Sequence, residues 1–285
     1  MQRVAVLGAG TMGHGIAQVC ALAGFDVRLA DATEELARAG RDRIHANLNE
    51  GVRRGKVTAD AARAAFDHVT VVASPERACA DTDIVIEAVP ERIELKRDVL
   101  ARAEQVAPPT SLLGTNTSSL SIGDLQRSLA RPGRFLGLHF FNPVHINPLL
   151  EVVRGPRTDQ AAVAEALELA RRIGKEAIVV NDSPGFATSR LGVLLGLEAM
   201  RMVEEGVASA ADIDRAMELG YRHPMGPLKL TDLVGLDVRL DIARYLHEKL
   251  GTEQFRPPRI LQDMVAAGRL GKKSGRGFYE WSEPA

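Results

Sequence analysis

Short apolar runs separated by amphipathic stretches fill the chain as far as residue 180, and beyond it the apolar residues keep a helical spacing only. Apolar runs at 4–7 and 27–30 predict two buried strands. Between them lie Gly8-Ala9-Gly10-Thr11-Met12-Gly13 and a helical pattern to about Ala23. Further strands are predicted over 69–73, 83–89, 112–115, 135–141, 149–153 and 176–180, with helices over 33–54, 58–67, 93–106 and 160–173. Such alternation is that of an α/β protein with a parallel sheet. After Ser183-Pro184-Gly185 the strand signals stop. Helices are predicted over 186–205, 210–219, with Ser209 and Asp212 set as a capping box, and 228–250. The expected fold is therefore α/β: a Rossmann-like N-terminal domain with a helical excursion over 1–184, then an all-helical C-terminal domain over 185–285.

The first strand, turn and helix carry the clearest chemistry. In a Gly-x-Gly-x-x-Gly turn, Gly8 allows the tight bend, Gly10 lets the backbone approach a pyrophosphate, and Gly13 lets the helix pack closely. The helix N-terminus then offers free N–H groups to the phosphates. Asp31 closes the second strand, where a carboxylate accepts ribose hydroxyls and repels a 2′-phosphate. Ala32 and Thr33 supply no cation to offset that repulsion, so the cofactor expected is NAD rather than NADP.

Three polar features stand in otherwise apolar or featureless segments. Asn116-Thr117-Ser118-Ser119 follows a strand at its carboxyl end, where open α/β sheets place their ligands, although a helix N-cap would account for it as well. His139 interrupts the apolar run 135–141, and Glu151 interrupts the run 149–153. A lone buried carboxylate is costly, so neighbouring strands would let each oddity explain the other. Arg53-Arg54-Gly55-Lys56 ends the excursion and reads equally as a phosphate site and as a solvated helix end.

Composition narrows the field. A 285-residue chain with a formal charge of −1 has no general field for nucleic acid or anionic membrane, and neither partner is expected. A strand beginning in the first few residues leaves no room for a leader, and no apolar run is long enough to span a bilayer. Two cysteines, Cys20 and Cys79, fit a reducing, cytoplasmic setting. No metal is expected, since His139 and His145 lack a third ligand nearby. Gly271-Lys272-Lys273-Ser274-Gly275 has the wrong glycine spacing for a nucleotide-triphosphate loop. The 186–205 helix is apolar on nearly every side, which implies a covering partner subunit through a two-fold interface.

The whole chain resembles the NAD-dependent 3-hydroxyacyl-CoA dehydrogenase family, and most closely its short bacterial 3-hydroxybutyryl-CoA members. The resemblance rests on GAGTMGHGIAQ at 8–18, VIEAVPER at 85–92, NTSSLSI at 116–122, GLHFFNPV at 137–144, SPGF at 183–186, HPMGPL at 223–228, DLVGLD at 232–237 and GKKSGRGFY at 271–279. It implies that His139 is the catalytic histidine, Glu151 its carboxylate partner and Ser118 the serine at the substrate oxygen. It also implies that Glu91, Lys96, Asn116, Asn142 and Lys273 line the cofactor beside the 8–13 loop and Asp31. The region of Asn47, Arg54 and Lys56 corresponds to the CoA-binding excursion, and the C-terminal domain to the part that makes a homodimer. Two departures fall on the substrate side: Ser189 stands where the family usually has Asn, and His145, Asn147 and Pro148 replace a run that often carries a Lys.

Oxidising a secondary alcohol removes a hydride from carbon and a proton from oxygen, and the free alkoxide is too basic to form unaided at neutral pH. An imidazole whose second nitrogen is held by a buried carboxylate meets that need. Two other readings stay open: a dehydrogenase of a free hydroxy acid or sugar acid such as gulonate, and an NAD-binding structural protein without activity. The His139–Glu151 pair argues against the second and the basic excursion against the first.

Overall fold

Residues 2–282 are described by the structure, a computed structural model. The first of two units ends at Ser183 and carries β1 (Arg3–Leu7), β2 (Asp26–Ala30), β3 (Val69–Val71), β4 (Ile84–Glu87), β5 (Leu112–Thr115), β6 (Phe135–Phe140), β7 (Leu149–Arg154) and β8 (Glu176–Asn181). They form one sheet in the order β3-β2-β1-β4-β5-β6-β7-β8. The strands from β1 to β6 run parallel in the doubly wound order, β7 is antiparallel to β6, and β8 follows β7 in parallel. The connecting helices are α1 (Gly13–Leu22), α2 (Glu34–Arg53), α3 (Ala59–Asp67), α4 (Pro75–Cys79), α5 (Ile93–Val106), α6 (Ile122–Gln126) and α7 (Gln160–Arg172).

Continuous apolar strands are explained by cover on both faces. Val4, Val6, Leu29, Ile84, Ile86 and Leu136 are buried in one core with Ile16 and Cys20 of α1. Helices α2 and α3 form the excursion, each started by a threonine, Thr33 or Thr58, whose hydroxyl accepts from a first-turn amide. Along α2, Ala37, Gly40, Ile44 and Leu48 make the buried face. A Cβ at Gly40 would meet Ala9 at 2.6 Å, so this glycine lets the excursion approach the first turn.

The second unit starts at Pro184 and is helical: α8 (Thr188–Glu204), α9 (Ala210–Gly220), α10 (Pro227–Val234), α11 (Leu236–Leu250) and α12 (Arg259–Ala266). Its own core gathers Val193, Leu197, Met200, Leu228, Leu236, Leu240, Leu246 and Leu261. The pattern expected to form one helix over 228–250 is broken at Gly235, whose φ of 105° no helix accommodates. At α9 the Ser209 hydroxyl accepts from Asp212 N at 3.1 Å and donates to the Asp212 carboxylate at 2.6 Å, so the box closes side chain to side chain. Helices α4 and α6, each five residues long, are too short to show a period, and α12 also escapes the sequence reading. The 271–280 segment folds over Asp232, which is fully buried and accepts from Phe278 N, Tyr279 N and the Trp281 indole at 2.9 Å each. Much of the DLVGLD and GKKSGRGFY similarity is thus structural.

Candidate active site

The carboxyl ends of β1, β4, β5 and β6 surround a cavity of about 540 Å³. Gly8, Gly10, Thr11, Met12, Asp31, Glu91, Asn116, Ser118, His139 and Asn142 are all in its lining. Gly8 has φ 98°, and a Cβ there would stand 2.6 Å from the Ala88 carbonyl oxygen. Gly10 has nothing within 4 Å of an added Cβ, which leaves its backbone open to a ligand. A Cβ on Gly13 would collide with the Gly8 carbonyl. Helix α1 has no side-chain cap and no acidic residue in its first turn, so no side chain of its own competes with an anion for its N-terminal donors. Asp31 is fixed by accepting from Ala9 N and Ala32 N at 2.6 Å each, and a carboxylate has lone pairs left for hydroxyl donors. These features fit a dinucleotide with free ribose hydroxyls.

Beneath that cavity lies a buried polar network. Lys96 is 1% exposed and donates to Glu87 at 2.8 Å and to the Val89 carbonyl at 3.1 Å, with Glu91 at 3.3 Å. Glu87 also accepts from the Thr115 hydroxyl at 2.5 Å. Glu91 accepts from the Thr117 hydroxyl at 2.5 Å and Ser118 N at 2.9 Å, which fastens the loop after β5. Asn116 Oδ1 accepts from Phe140 N at 2.9 Å, which fixes its amide plane and ties that loop to β6. Burial pushes the Glu87 carboxyl above its ordinary range, and Lys96 opposes the push. Replacing Lys96 with Met should cost about 3–5 kcal/mol near neutral pH by stranding a buried carboxylate. A carboxyl raised in the folded state protonates as pH falls, so the loss should shrink from neutral pH down through the usual carboxylate range. Urea melts of the two proteins across that range check it; an equal deficit at every pH would contradict it.

His139 and Glu151 meet as directly opposed residues of the antiparallel β6–β7 pair. Nδ1 lies 2.7 Å from Glu151 Oε2, with Glu151 fully buried and His139 6% exposed. A carboxylate can only accept, so the Nδ1 proton points at Glu151 and Nε2 carries the ring's lone pair in the neutral imidazole. The Phe141 ring packs on the imidazole with centroids 4.3 Å apart.

A second cavity of about 480 Å³ in the same unit is lined by Gln18 and Leu22 of α1, Asn47, Glu50 and Arg54 of the excursion, Lys56, and His145 and Ile146 from the loop between β6 and β7. Asn47 donates to Gln18 at 3.2 Å, and Arg54 pairs with Glu50.

Comparison with known proteins gives this geometry its context. The model of the 3-hydroxyacyl-CoA dehydrogenase NAD binding domain matches residues 3–183, and that of the C-terminal domain matches residues 185–281. The chain belongs to the 3-hydroxyacyl-CoA dehydrogenase family. It is 44% identical over 283 residues to a 3-hydroxybutyryl-CoA dehydrogenase of Mycobacterium tuberculosis, covering 99% of each chain. To a probable 3-hydroxybutyryl-CoA dehydrogenase of Bacillus subtilis it is 42% identical, covering 99% of this chain and 98% of the other. The crystal structure of (S)-3-hydroxybutyryl-CoA dehydrogenase from Ralstonia eutropha matches with a TM-score of 0.95 at 37% identity, over 99% of this chain and all of that one.

Within this family member the first unit binds NAD. Ala9 and Gly13 support the first turn from behind and are not in the cavity lining. Lys96, expected to line the cofactor, instead sits under the cavity floor, because its ammonium is committed to Glu87, Val89 and Glu91. It acts on the cavity through Val89 and Glu91, which are in the lining. Ser189 lies in the first turn of α8 in the second unit, and Lys273 of that unit pairs with Asp237 at 2.6 Å. Glu87 and Thr115 escape the sequence reading. The signal that singles out Glu151, one carboxylate inside an apolar run, also stands at Glu87.

No described helix is long and apolar enough to cross a membrane. Among the described residues no group of three His, Cys, Asp or Glu side chains could hold a metal ion. Burial pushes the Cys20 and Cys79 thiols up to about 12, which leaves both protonated and unreactive at neutral pH.

Proposed function

We propose that this chain oxidises short (S)-3-hydroxyacyl-CoA esters, such as 3-hydroxybutyryl-CoA, to 3-ketoacyl-CoA and runs the reverse reduction. The observation that carries the reading is the buried His139–Glu151 pair in the wall of the cavity that the glycine loop also lines. NAD held at the glycine loop and Asp31 would supply the hydride acceptor for the substrate's carbinol carbon. His139 takes the hydroxyl proton at Nε2, Glu151 holds Nδ1–H and stabilises the imidazolium, and Ser118 hydrogen-bonds the substrate oxygen. Gly8, Gly10, Thr11, Met12, Asp31, Glu91, Asn116 and Asn142 hold the cofactor. Ser189, shorter than Asn and offering one hydroxyl donor, tunes acyl fit rather than the chemistry. Comparing rates over short, medium and long 3-ketoacyl-CoA esters tests the chain length, and a preference for long esters would overturn it.

The second cavity takes the nucleotide end of CoA, with Asn47, Arg54 and Lys56 as its ligands. Arg54 and Lys56 are the cations of its lining, which supports the assignment. Replacing both with Ala should raise KM for acetoacetyl-CoA about 10-fold or more and leave a pantetheine thioester within about two-fold. Steady-state kinetics with the two substrates checks it, and equal effects would return these cations to the solvent.

The working unit is a homodimer formed by the helical unit. Support comes from Leu191 and Leu195 on α8, 61% and 44% exposed, and from Leu230, Leu233 and Val234 exposed on α10. Light scattering should give twice the chain mass, and a monomer at working concentration would contradict it. Cytoplasmic residence completes the reading, supported by two buried free thiols; recovery from the secreted fraction would count against it.

A further inference from the structure

His145 belongs to the wall of the second cavity but comes from the sheet side of the unit, whereas Arg54 and Lys56 come from the excursion. The loop that carries it is firmly built. Val144 is buried against α1, where a Cβ on Gly15 would come within 2.9 Å of its side chain. Ile146 N and Asn147 N donate to the Pro143 carbonyl at 3.0 and 2.9 Å, and Leu149 N donates to Asn147 Oδ1 at 3.1 Å. The Lys175 ammonium donates to the carbonyls of Val144 and Asn147, on either side of His145.

The charges around this imidazole are mostly positive. His14 of α1, itself held below its ordinary range mainly by burial while its Nδ1 donates to the Gly10 carbonyl at 2.7 Å, acts on it only when protonated, and Lys175 from the turn after α7 acts on it throughout. Arg54, Lys56 and Glu50 share its cavity, and Glu50 is already committed to Arg53 and Arg54. Burial first, then His14 and Lys175, hold the imidazole below its ordinary range, so the ligand-free side chain is neutral near pH 7. A histidine with cationic neighbours and no bonded carboxylate has little reason to stay neutral once a phosphate arrives. The anion offsets the surrounding charge and favours the imidazolium, which then donates to a phosphate oxygen.

We propose that His145 is a proton-linked phosphate ligand for the nucleotide end of acyl-CoA, taking one proton from solvent as the phosphate enters and donating to it beside Arg54 and Lys56. The proposal rests on the reading of this cavity as the CoA site. It adds a consequence that two permanent cations do not have: binding strengthens as pH falls toward the range where the imidazole titrates.

The test is calorimetric titration of the full-length protein with free CoA, in two buffers of unlike ionisation enthalpy near neutral pH. The wild type should take up about half a proton per CoA bound, and His145→Asn should take up much less. From about pH 8 to about pH 6 the variant's affinity should fall about 3- to 10-fold relative to the wild type, with the two close to equal at the upper end. The phosphate of CoA itself titrates near pH 6, but it does so with both proteins, so their difference reports His145. Equal proton uptake and equal pH dependence, with binding still weakened by Arg54→Ala and Lys56→Ala, would overturn the proposal and leave the CoA site standing. Unchanged CoA affinity in those two variants would overturn the cavity assignment itself.

Discussion

His139→Gln should lower kcat for reduction of acetoacetyl-CoA about 100- to 10,000-fold while NADH binds as before. The imidazole's role begins only when a proton moves between it and the substrate oxygen, and the glycine loop and Asp31 hold the cofactor without it. Gln fills comparable space and can hydrogen-bond, but it cannot exchange a proton at neutral pH. The position is buried, so water has poor access as a substitute base. Single-turnover kinetics separates the chemical step from binding, and NADH fluorescence reports affinity in the same protein. Near-normal turnover in this variant would remove His139 from the mechanism.

Glu151→Gln should be nearly as damaging, with a fall in kcat of about 100- to 1,000-fold and the fold intact. The size follows from the tautomer rather than from the lost charge alone. The carboxylate only accepts, so it holds the proton on Nδ1 and leaves the Nε2 lone pair for the substrate hydroxyl. A Gln amide can turn its NH2 toward Nδ1 and favour the other tautomer, which presents N–H where a base is needed. It also withdraws the charge that stabilises imidazolium. The substitution is isosteric and removes a buried charge at 0% exposure, so stability should not suffer in proportion. Thermal melts beside kcat make the comparison, and wild-type kcat in a folded Gln variant would leave Glu151 a structural acid.

How much of this was legible before the structure depends on how local each signal is. The first turn reads directly, because its glycines act within a few residues. The His139–Glu151 pair is non-local, yet two strands that each bury one polar residue pointed to one another, and the β6–β7 register sets them face to face. Lys96 was singled out only by the resemblance, as a residue lining the cofactor, since nothing in its own neighbourhood marks the inward side of the helix. Glu87 in its apolar run was the clue to a buried cation, and the two meet across nine positions. The break at Gly235 was masked by apolar residues in phase on both sides, because periodicity does not register a change of direction. His145 carried no reading beyond a rejected metal ligand and a departure from the family, and only the folded loop brings it to the cavity that Arg54 and Lys56 share.

The enzyme should act on CoA esters rather than on free acids. Loss of NADH absorbance with acetoacetyl-CoA, measured against free acetoacetate at equal concentration, tests it most directly. NADH oxidation should be rapid with the thioester and kcat/KM for the free acid lower by about 1,000-fold or more, because the nucleotide end supplies binding that the free acid lacks. Comparable values for the two substrates, or faster reaction with the free acid, would contradict it.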